Sequence, residues 1–134
     1  AGERAPARGR AVSWLLVALG GAAGSVLRYG VTRAMGPPPP DAFPWHTFAV
    51  NVFGSLLVGV VLAAVPARDP DHLRALLAVG FCGGLTTFST FGYETVALLQ
   101  ARAYGVALAY AGGSFAVALL AVAFGLSIGP RLAH

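Results

Sequence analysis

Residues 82–90 read CGGLTTFST and interrupt an otherwise apolar run that extends from about Leu73 to Gln100. Glycine, threonine and serine fill this interruption, and these residue types lower helix propensity or compete with the backbone for hydrogen bonds. As one continuous helix the run would be ~42 Å long, against a hydrocarbon core of ~30 Å. The pattern therefore predicts a membrane-spanning helix that is broken near residue 86, close to the bilayer midplane.

Three more apolar runs complete the chain. Of its 134 residues 57% are hydrophobic and only 10% charged, against about 25% charged in a typical soluble domain. The prolines at 37–40 form a first loop, Pro66 begins a second, and Arg102 marks a short third loop. The sequence predicts an all-α membrane protein with four transmembrane helices in one domain of residues 1–134, the spans being 11–34, 44–65, 73–100 and 103–128.

Composition excludes several classes of function. The nine basic residues are all arginines and form no run typical of nucleic-acid binding. A single cysteine, Cys82, leaves no disulfide framework or cysteine-based zinc site. No Walker motif, nucleophile–base pair or histidine cluster indicates an enzyme. The polar stretch 1–10 leads into a run longer than a signal peptide, which we interpret as the first span.

The arginines near the span ends bear on orientation. One side of the membrane would hold both termini and the second loop, and the other side the first and third loops. Without the N-terminal tail the two sides carry nearly equal numbers of arginines, which is typical of a chain that inserts both ways. The first side has Arg4, Arg8, Arg10, Arg68, Arg74 and Arg131, and the second Arg33, Arg102 and in one interpretation Arg28.

Polar residues inside the predicted spans need partners or a function. Arg28 follows Gly24 at helical spacing, and it either snorkels to the interface or lines an anion vestibule. Asn51 and Ser55 share one face of the second span, as structural glue or as donors along a solute path. Tyr110 and Ser114 repeat this spacing in the fourth span. Two amphipathic side chains, Trp45 and His46, open the second span at the expected headgroup level.

The break itself predicts an ion site. Carbonyls freed at a helix C-terminal end coordinate cations, whereas N–H groups freed at a helix N-terminus favour anions. Phe88 and Phe91 follow at a spacing that puts both rings on one helix face, where ordinary packing is the alternative explanation. Glu94 lies one further turn along and is the only acidic residue expected within a span.

With these residues identified, the chain closely resembles the CrcB/Fluc family of fluoride ion channels. The resemblance covers nearly the whole chain, and its most specific part is the third-span sequence GFCGGLTTFSTF at 80–91. The other carriers are Gly20, Gly21, Gly24 and Arg28 in the first span, NVFGS at 51–55 in the second, and Gly113 and Ser114 in the fourth.

The resemblance implies a dual-topology dimer of antiparallel four-span subunits with two fluoride pores. Phe88 and Phe91 would present their positively polarised ring edges to fluoride, and Asn51 and Ser114 would donate hydrogen bonds to it. Tyr110 would adjoin the path. Three further assignments follow from the family: Arg28 at the vestibule, Glu94 near the pore entrance, and a structural Na⁺ at the dimer interface, held by carbonyls matching Gly83 and Thr86 of both subunits.

The resemblance also implies passive export of cytoplasmic fluoride through a cell inner (plasma) membrane, with an identical chain or a paralogue as the partner in the lipid bilayer. Ala118 and Ala121 depart from the pattern, because a further hydroxyl is expected in their register. The main alternative is a small proton-coupled multidrug transporter of four spans, which would need a carboxylate deep in a span. A packing subunit without transport activity is a second alternative, although a broken helix favours an ion site.

Overall fold

Every secondary-structure element in the described part of the chain is a helix. The computed structural model describes residues 7–67 and 71–133. Its helices are α1 (Ala7–Met35), α2 (Trp45–Ala64), α3 (residues 72–85), α4 (Phe88–Gln100) and α5 (Tyr104–Leu132). Helix α3 consists of an α-helical turn at His72–Arg74, a π-helical segment at Ala75–Cys82 and a second α-helical turn at Gly83–Leu85.

The predicted all-α architecture with four spans is confirmed. Helices α1, α2 and α5, and the stretch His72–Gln100 that contains α3 and α4, are each long and apolar enough to cross a bilayer. Their large apolar side chains are mostly exposed on the single chain. Such a surface is typical of a protein whose solvent is lipid rather than water, and the chain is therefore a multi-pass membrane protein.

The helix ends differ from the prediction at both ends of the chain. Helix α1 already includes Ala7, ahead of the predicted start near residue 11, and α5 continues past Ile128 to Leu132. Pro130 lies in the last turn of α5, where it removes one hydrogen bond, the one that a backbone N–H at position 130 would donate to Leu126 O. Arg4 and Arg68, both used to predict orientation, lie outside the described residues.

Helix α1 packs against α3 through glycines that allow the two backbones to touch. A Cβ atom added at Gly24 would lie 2.7 Å from Leu85 N, and one at Gly80 would lie 2.9 Å from Val17 O. Real Cβ atoms do not approach other atoms so closely, so these positions require glycine. Close contact between small residues is how membrane helices pack when no hydrophobic force drives them together.

Helices α2 and α5 pair in the same way. A Cβ atom at Gly59 would lie 3.1 Å from Leu126 N, and one at Gly125 would lie 2.9 Å from Val60 N. Helix α4 then packs on α5 around a small core of Phe91, Leu98, Ala107 and Tyr110. These contacts place the polar face of α2 between α3 and α5, facing the interruption at residues 86–87.

Candidate functional site at the helix interruption

Two residues with extended backbone separate α3 from α4. Thr86 has a ψ of 154°, and Thr87 has a φ of −147° and a ψ of 119°. Helix α3 ends at Leu85 and α4 begins at Phe88, with the Thr87 side chain accepting a hydrogen bond from Thr90 N at 3.2 Å. The position of this interruption relative to the bilayer midplane stays a prediction.

Asn51 from α2 holds the interruption by both ends of its side-chain amide. The Thr87 N–H donates to Asn51 Oδ1 at 2.7 Å, and Asn51 Nδ2 donates to Thr87 O at 3.1 Å. Gly54, one turn along α2, is buried against the Thr86 side chain and has no room for a Cβ atom. One N–H of the Asn51 amide is left over after the Thr87 contact, because a primary amide has two.

Because of these contacts, two backbone carbonyl groups lose the N–H donors that they would have in a continuous helix. In a continuous helix Gly83 O would accept from Thr87 N, and Thr86 O from Thr90 N. Thr87 N instead bonds Asn51, and Thr90 N instead bonds the Thr87 hydroxyl. The carbonyls of Gly83 and Thr86 are therefore released from the helix pattern, and they are the two that the family resemblance assigns to a cation.

A cavity of about 370 Å³ lies beside the interruption, between α2, α3, α4 and α5. Four residues predicted for the fluoride path line it, together with both residues predicted for the cation. Small aliphatic residues, a glycine, two hydroxyl residues, Cys82 and a third phenylalanine, Phe115, supply the rest of the lining, which contains no acidic residue. The lining residues are Asn51, Gly54, Ser55, Val58, Ala78, Cys82, Gly83, Thr86, Thr87, Phe88, Phe91, Ser114, Phe115 and Ala118.

The two phenylalanines of the cavity differ in how the chain holds them. Their ring centroids are 5.7 Å apart, but Phe88 is 76% exposed and Phe91 only 9%. Phe91 packs on Tyr110 at 5.2 Å and meets Phe115 edge-on at 5.7 Å. The chain itself therefore fixes Phe91, whereas Phe88 projects from the protomer.

Ser114 contributes a hydroxyl without a partner. Its Oγ atom is buried on α5 and makes no hydrogen bond to any residue that the structure describes. A buried donor left unpaired costs about 1–3 kcal/mol, so native proteins rarely retain one without a reason. Because Ser114 lines the cavity, a hydrogen-bond acceptor in that cavity would satisfy it.

Arg28, Glu94 and Tyr110 lie outside the cavity lining. The Arg28 Nε donates to Gly84 O at 3.1 Å, so this guanidinium caps the C-terminal end of α3. Glu94 accepts from Thr47 Oγ1 at 2.9 Å and from the fully buried Tyr110 hydroxyl at 2.6 Å, and His46 Nε2 lies 2.9 Å from the same carboxylate.

Sequence reasoning missed two members of this buried group. His46 was expected at the headgroup level, whereas the structure buries it against Glu94. Thr47 precedes Asn51 by four residues, so the helical spacing that drew attention to Asn51 and Ser55 also contains Thr47. That spacing was the available signal for Thr47, whereas no local pattern marks His46.

Sequence comparison identifies known proteins that are similar to this chain. A family model described as CrcB-like protein, Camphor Resistance (CrcB), matches residues 15–126. The chain belongs to the CrcB family. A Thermus thermophilus protein named fluoride-specific ion channel FluC is 46% identical over 120 residues, covering 89% of this chain and 94% of the relative. A Novosphingobium aromaticivorans protein of the same name is 48% identical over 116 residues, covering 84% and 91%.

The CrcB match includes every residue singled out above as a site residue. The N-terminal part of α1 and the last residues of α5 lie outside it. A third relative, fluoride-specific ion channel FluC 1 of Frankia casuarinae, is 42% identical over 123 residues, covering 87% of this chain and 95% of the relative. The family is one of ion channels and not of enzymes, as the sequence analysis expected.

Proposed function

We propose that this CrcB chain is a fluoride-selective channel whose anion path runs through the cavity beside the helix interruption. The observation that carries the proposal is the buried Ser114 hydroxyl, which has no partner among the described residues and faces the same cavity as two phenylalanine rings. The names of the relatives support fluoride as the ion.

The cavity lining offers an anion several partially positive groups but no cationic side chain. The Ser114 hydroxyl and the remaining Asn51 N–H are donors, and the phenylalanine ring edges carry partial positive charge. The N-terminus of α4 adds unpaired backbone N–H groups and the positive end of its dipole. Several hydrogen-bond donors and ring edges that approach the ion closely suit a small, strongly hydrated anion better than a large one such as chloride.

Export follows from the chemistry of fluoride and the membrane potential. Hydrogen fluoride crosses lipid as a neutral acid and dissociates in a less acidic cytoplasm, which traps the anion there. A membrane potential that is negative inside drives a monovalent anion outward with about 2.3 kcal/mol per 100 mV. A passive channel in the inner (plasma) membrane is therefore sufficient, and no energy-coupling site is needed.

The exposed position of Phe88 supports a second subunit as part of the path. A ring that is 76% exposed on one chain has room to contact a partner, and the nearly even arginine count favours an antiparallel one. The proposal is an antiparallel dimer with two pores, assembled from identical chains or from this chain and a paralogue.

A structural Na⁺ fits the residues of the interruption. The carbonyls of Gly83 and Thr86 have lost their helical partners to Asn51 and Thr87, and oxygen ligands suit a hard cation. Gly83 leaves open space around its Cα atom, so a partner backbone has access. When bound, the ion would supply positive charge between the two subunits, while this chain's residues keep the carbonyls free of the helix.

The multidrug-transporter alternative finds little support in the geometry. Such a transporter needs a carboxylate that exchanges a proton for a cationic drug within the transport cavity. Glu94 lies outside the cavity lining and is enclosed by Thr47, Tyr110 and His46. A cation in the cavity would meet hydroxyls, glycines and aromatic rings instead.

Efflux from liposomes tests the proposed function. The purified chain is reconstituted in liposomes loaded with potassium fluoride or potassium chloride, and valinomycin carries the balancing charge. We expect rapid fluoride release and chloride release at least about a hundredfold slower. Absence of fluoride release, or equal release of both anions, would contradict the proposal.

A further inference from the structure

A buried group of ionisable and hydroxyl side chains lies one helical turn from the cavity. Its centre is Glu94 of α4, which receives contacts from His46 and Thr47 of α2 and from Tyr110 of α5. His46 is 8% exposed and Tyr110 is fully buried. Three helices therefore converge on one carboxylate, and we call these four residues the Glu94 cluster.

The Glu94 cluster connects to the proposed fluoride path through shared neighbours. Phe91, which lines the cavity, lies one turn before Glu94 and packs on the Tyr110 ring at 5.2 Å. Ser114, which also lines the cavity, lies one turn after Tyr110 on α5. The cluster therefore lies next to the part of the cavity that Phe91 and Ser114 line.

His46 is an ionisable partner of the Glu94 carboxylate, with its Nε2 atom 2.9 Å from Oε1. Thr47 is neutral, and the ionisable groups that face His46 are Glu94 of α4 and, through that carboxylate, Tyr110 of α5. Histidine is the side chain that ordinarily changes charge between pH 5 and 8. A protonated imidazole balances the Glu94 carboxylate, whereas a neutral imidazole keeps the hydrogen bond but leaves one net negative charge.

We propose that His46 is a positioning residue that holds Glu94 in place and, by its protonation, sets the net charge at this end of the fluoride path. This inference rests on the proposed function. An uncompensated carboxylate close to the path repels an incoming anion, and that repulsion is strong because the surroundings are poor in water. Fluoride flux should therefore fall as the pH rises.

The test measures fluoride efflux from liposomes at pH values from 6.0 to 8.5, equal on both sides of the membrane. Protein-free liposomes at each pH correct for leakage of hydrogen fluoride. We expect parental flux to fall about tenfold across this range. His46→Gln keeps an N–H donor for Glu94 but cannot change charge, so its profile should be flat. His72→Gln is the matched control, since His72 contacts Gly9 O far from the cluster and its loss should leave the parental profile.

Each outcome separates the two proposals. Flux without pH dependence in the parental protein overturns the role of His46 but keeps the channel, whereas no flux at any pH removes the proposed function and this inference with it. A pH-dependent profile in His46→Gln also overturns the inference. His46→Asn provides a second variant should His46→Gln not fold, because its carboxamide also cannot change charge and its profile should also be flat. Size-exclusion chromatography checks folding in each case.

Discussion

The Ser114 hydroxyl allows stability and conduction to be separated at one atom. Ser114→Ala removes a buried donor that has no partner among the described residues, so protein stability should stay the same or rise by up to about 1 kcal/mol. Fluoride flux should fall about tenfold, equivalent to ~1.4 kcal/mol of lost stabilisation along the path. Thermal unfolding followed by size-exclusion chromatography measures the first effect, and liposome efflux the second.

Ser127→Ala is the matched control for that variant. Ser127 lies on the same helix, but its hydroxyl donates to Phe124 O at 2.7 Å and lies outside the cavity lining. Its loss should leave flux at the parental rate. Normal flux in Ser114→Ala together with a loss of stability would show that the hydroxyl has a structural role instead.

The two cavity phenylalanines should respond differently to isoleucine. Either replacement removes a ring edge, so flux should fall at least about tenfold. Phe88→Ile should leave the stability of the chain nearly unchanged, because Phe88 is largely exposed. Phe91→Ile should cost about 1–3 kcal/mol, because the buried ring packs on Tyr110 and Phe115. Efflux and thermal unfolding measured on the same preparations distinguish the two effects.

Phe124→Ile, at an exposed aromatic position on α5, controls for the general effect of losing a ring in lipid. If both cavity variants conduct at the parental rate, the aromatic residues only pack.

Sequence reasoning about single residues succeeded where the signal was local. Helical spacing identified Asn51 and Ser114, and both line the cavity. It did not identify His46, because the partner of His46 is Glu94, 48 positions along the chain, and only the packing of both α2 and α4 on α5 brings the two side chains together. The prediction for Asn51 named either glue or a donor, and its bidentate contact with Thr87 shows that one amide can serve as glue with an N–H to spare.

At the scale of elements, the close contact between α1 and α3 predicts that a larger residue at Gly24 destabilises the protein. A methyl group at Gly24 would lie 2.7 Å from Leu85 N, so Gly24→Ala forces α1 away from the end of α3. We expect a loss of about 1–3 kcal/mol, as for an overpacked core. The measurement is the temperature at which the detergent-solubilised protein loses its size-exclusion peak.

Gly30→Ala is the control for Gly24→Ala. Gly30 lies on the same helix with nothing within 4 Å of its added Cβ atom, so alanine should be tolerated and should favour the helix. An equal loss of stability in both variants would mean that backbone conformation, rather than helix contact, explains the two glycines.

The lengths of the helical segments could be predicted from the sequence, but the type of helix within them could not. Apolar length and proline positions predicted four segments, and the structure has four helical stretches apolar enough to span a membrane whose ends lie within a few residues of those segments. The π-helical segment Ala75–Cys82 had no signal, because its sequence ALLAVGFC suits an α-helix equally well and packing against α1 decides the geometry. Similarly, the glycines predicted close packing without identifying which helices would pair.

At the scale of the whole molecule, the arginine distribution predicts insertion in both orientations. A cysteine added at the C-terminus should react with a membrane-impermeant maleimide in only part of the population in intact cells, because the arginines of the loops nearly balance. The native Cys82 is 3% exposed and should not interfere. Permeabilised cells give the full labelling for comparison, and all-or-none labelling would rule out a dual-topology homodimer.

The two hydrogen bonds between the Asn51 side chain and the Thr87 backbone also have a consequence for biosynthesis. The third span carries a peptide group at Thr87 that its own helix does not satisfy, and lipid offers no replacement for the missing partners. Those partners come from α2, which ends at Ala64, only a short loop before α3 begins at His72. The second and third spans should therefore leave the insertion machinery as one hairpin, since the third span alone would enter the bilayer with exposed polar backbone.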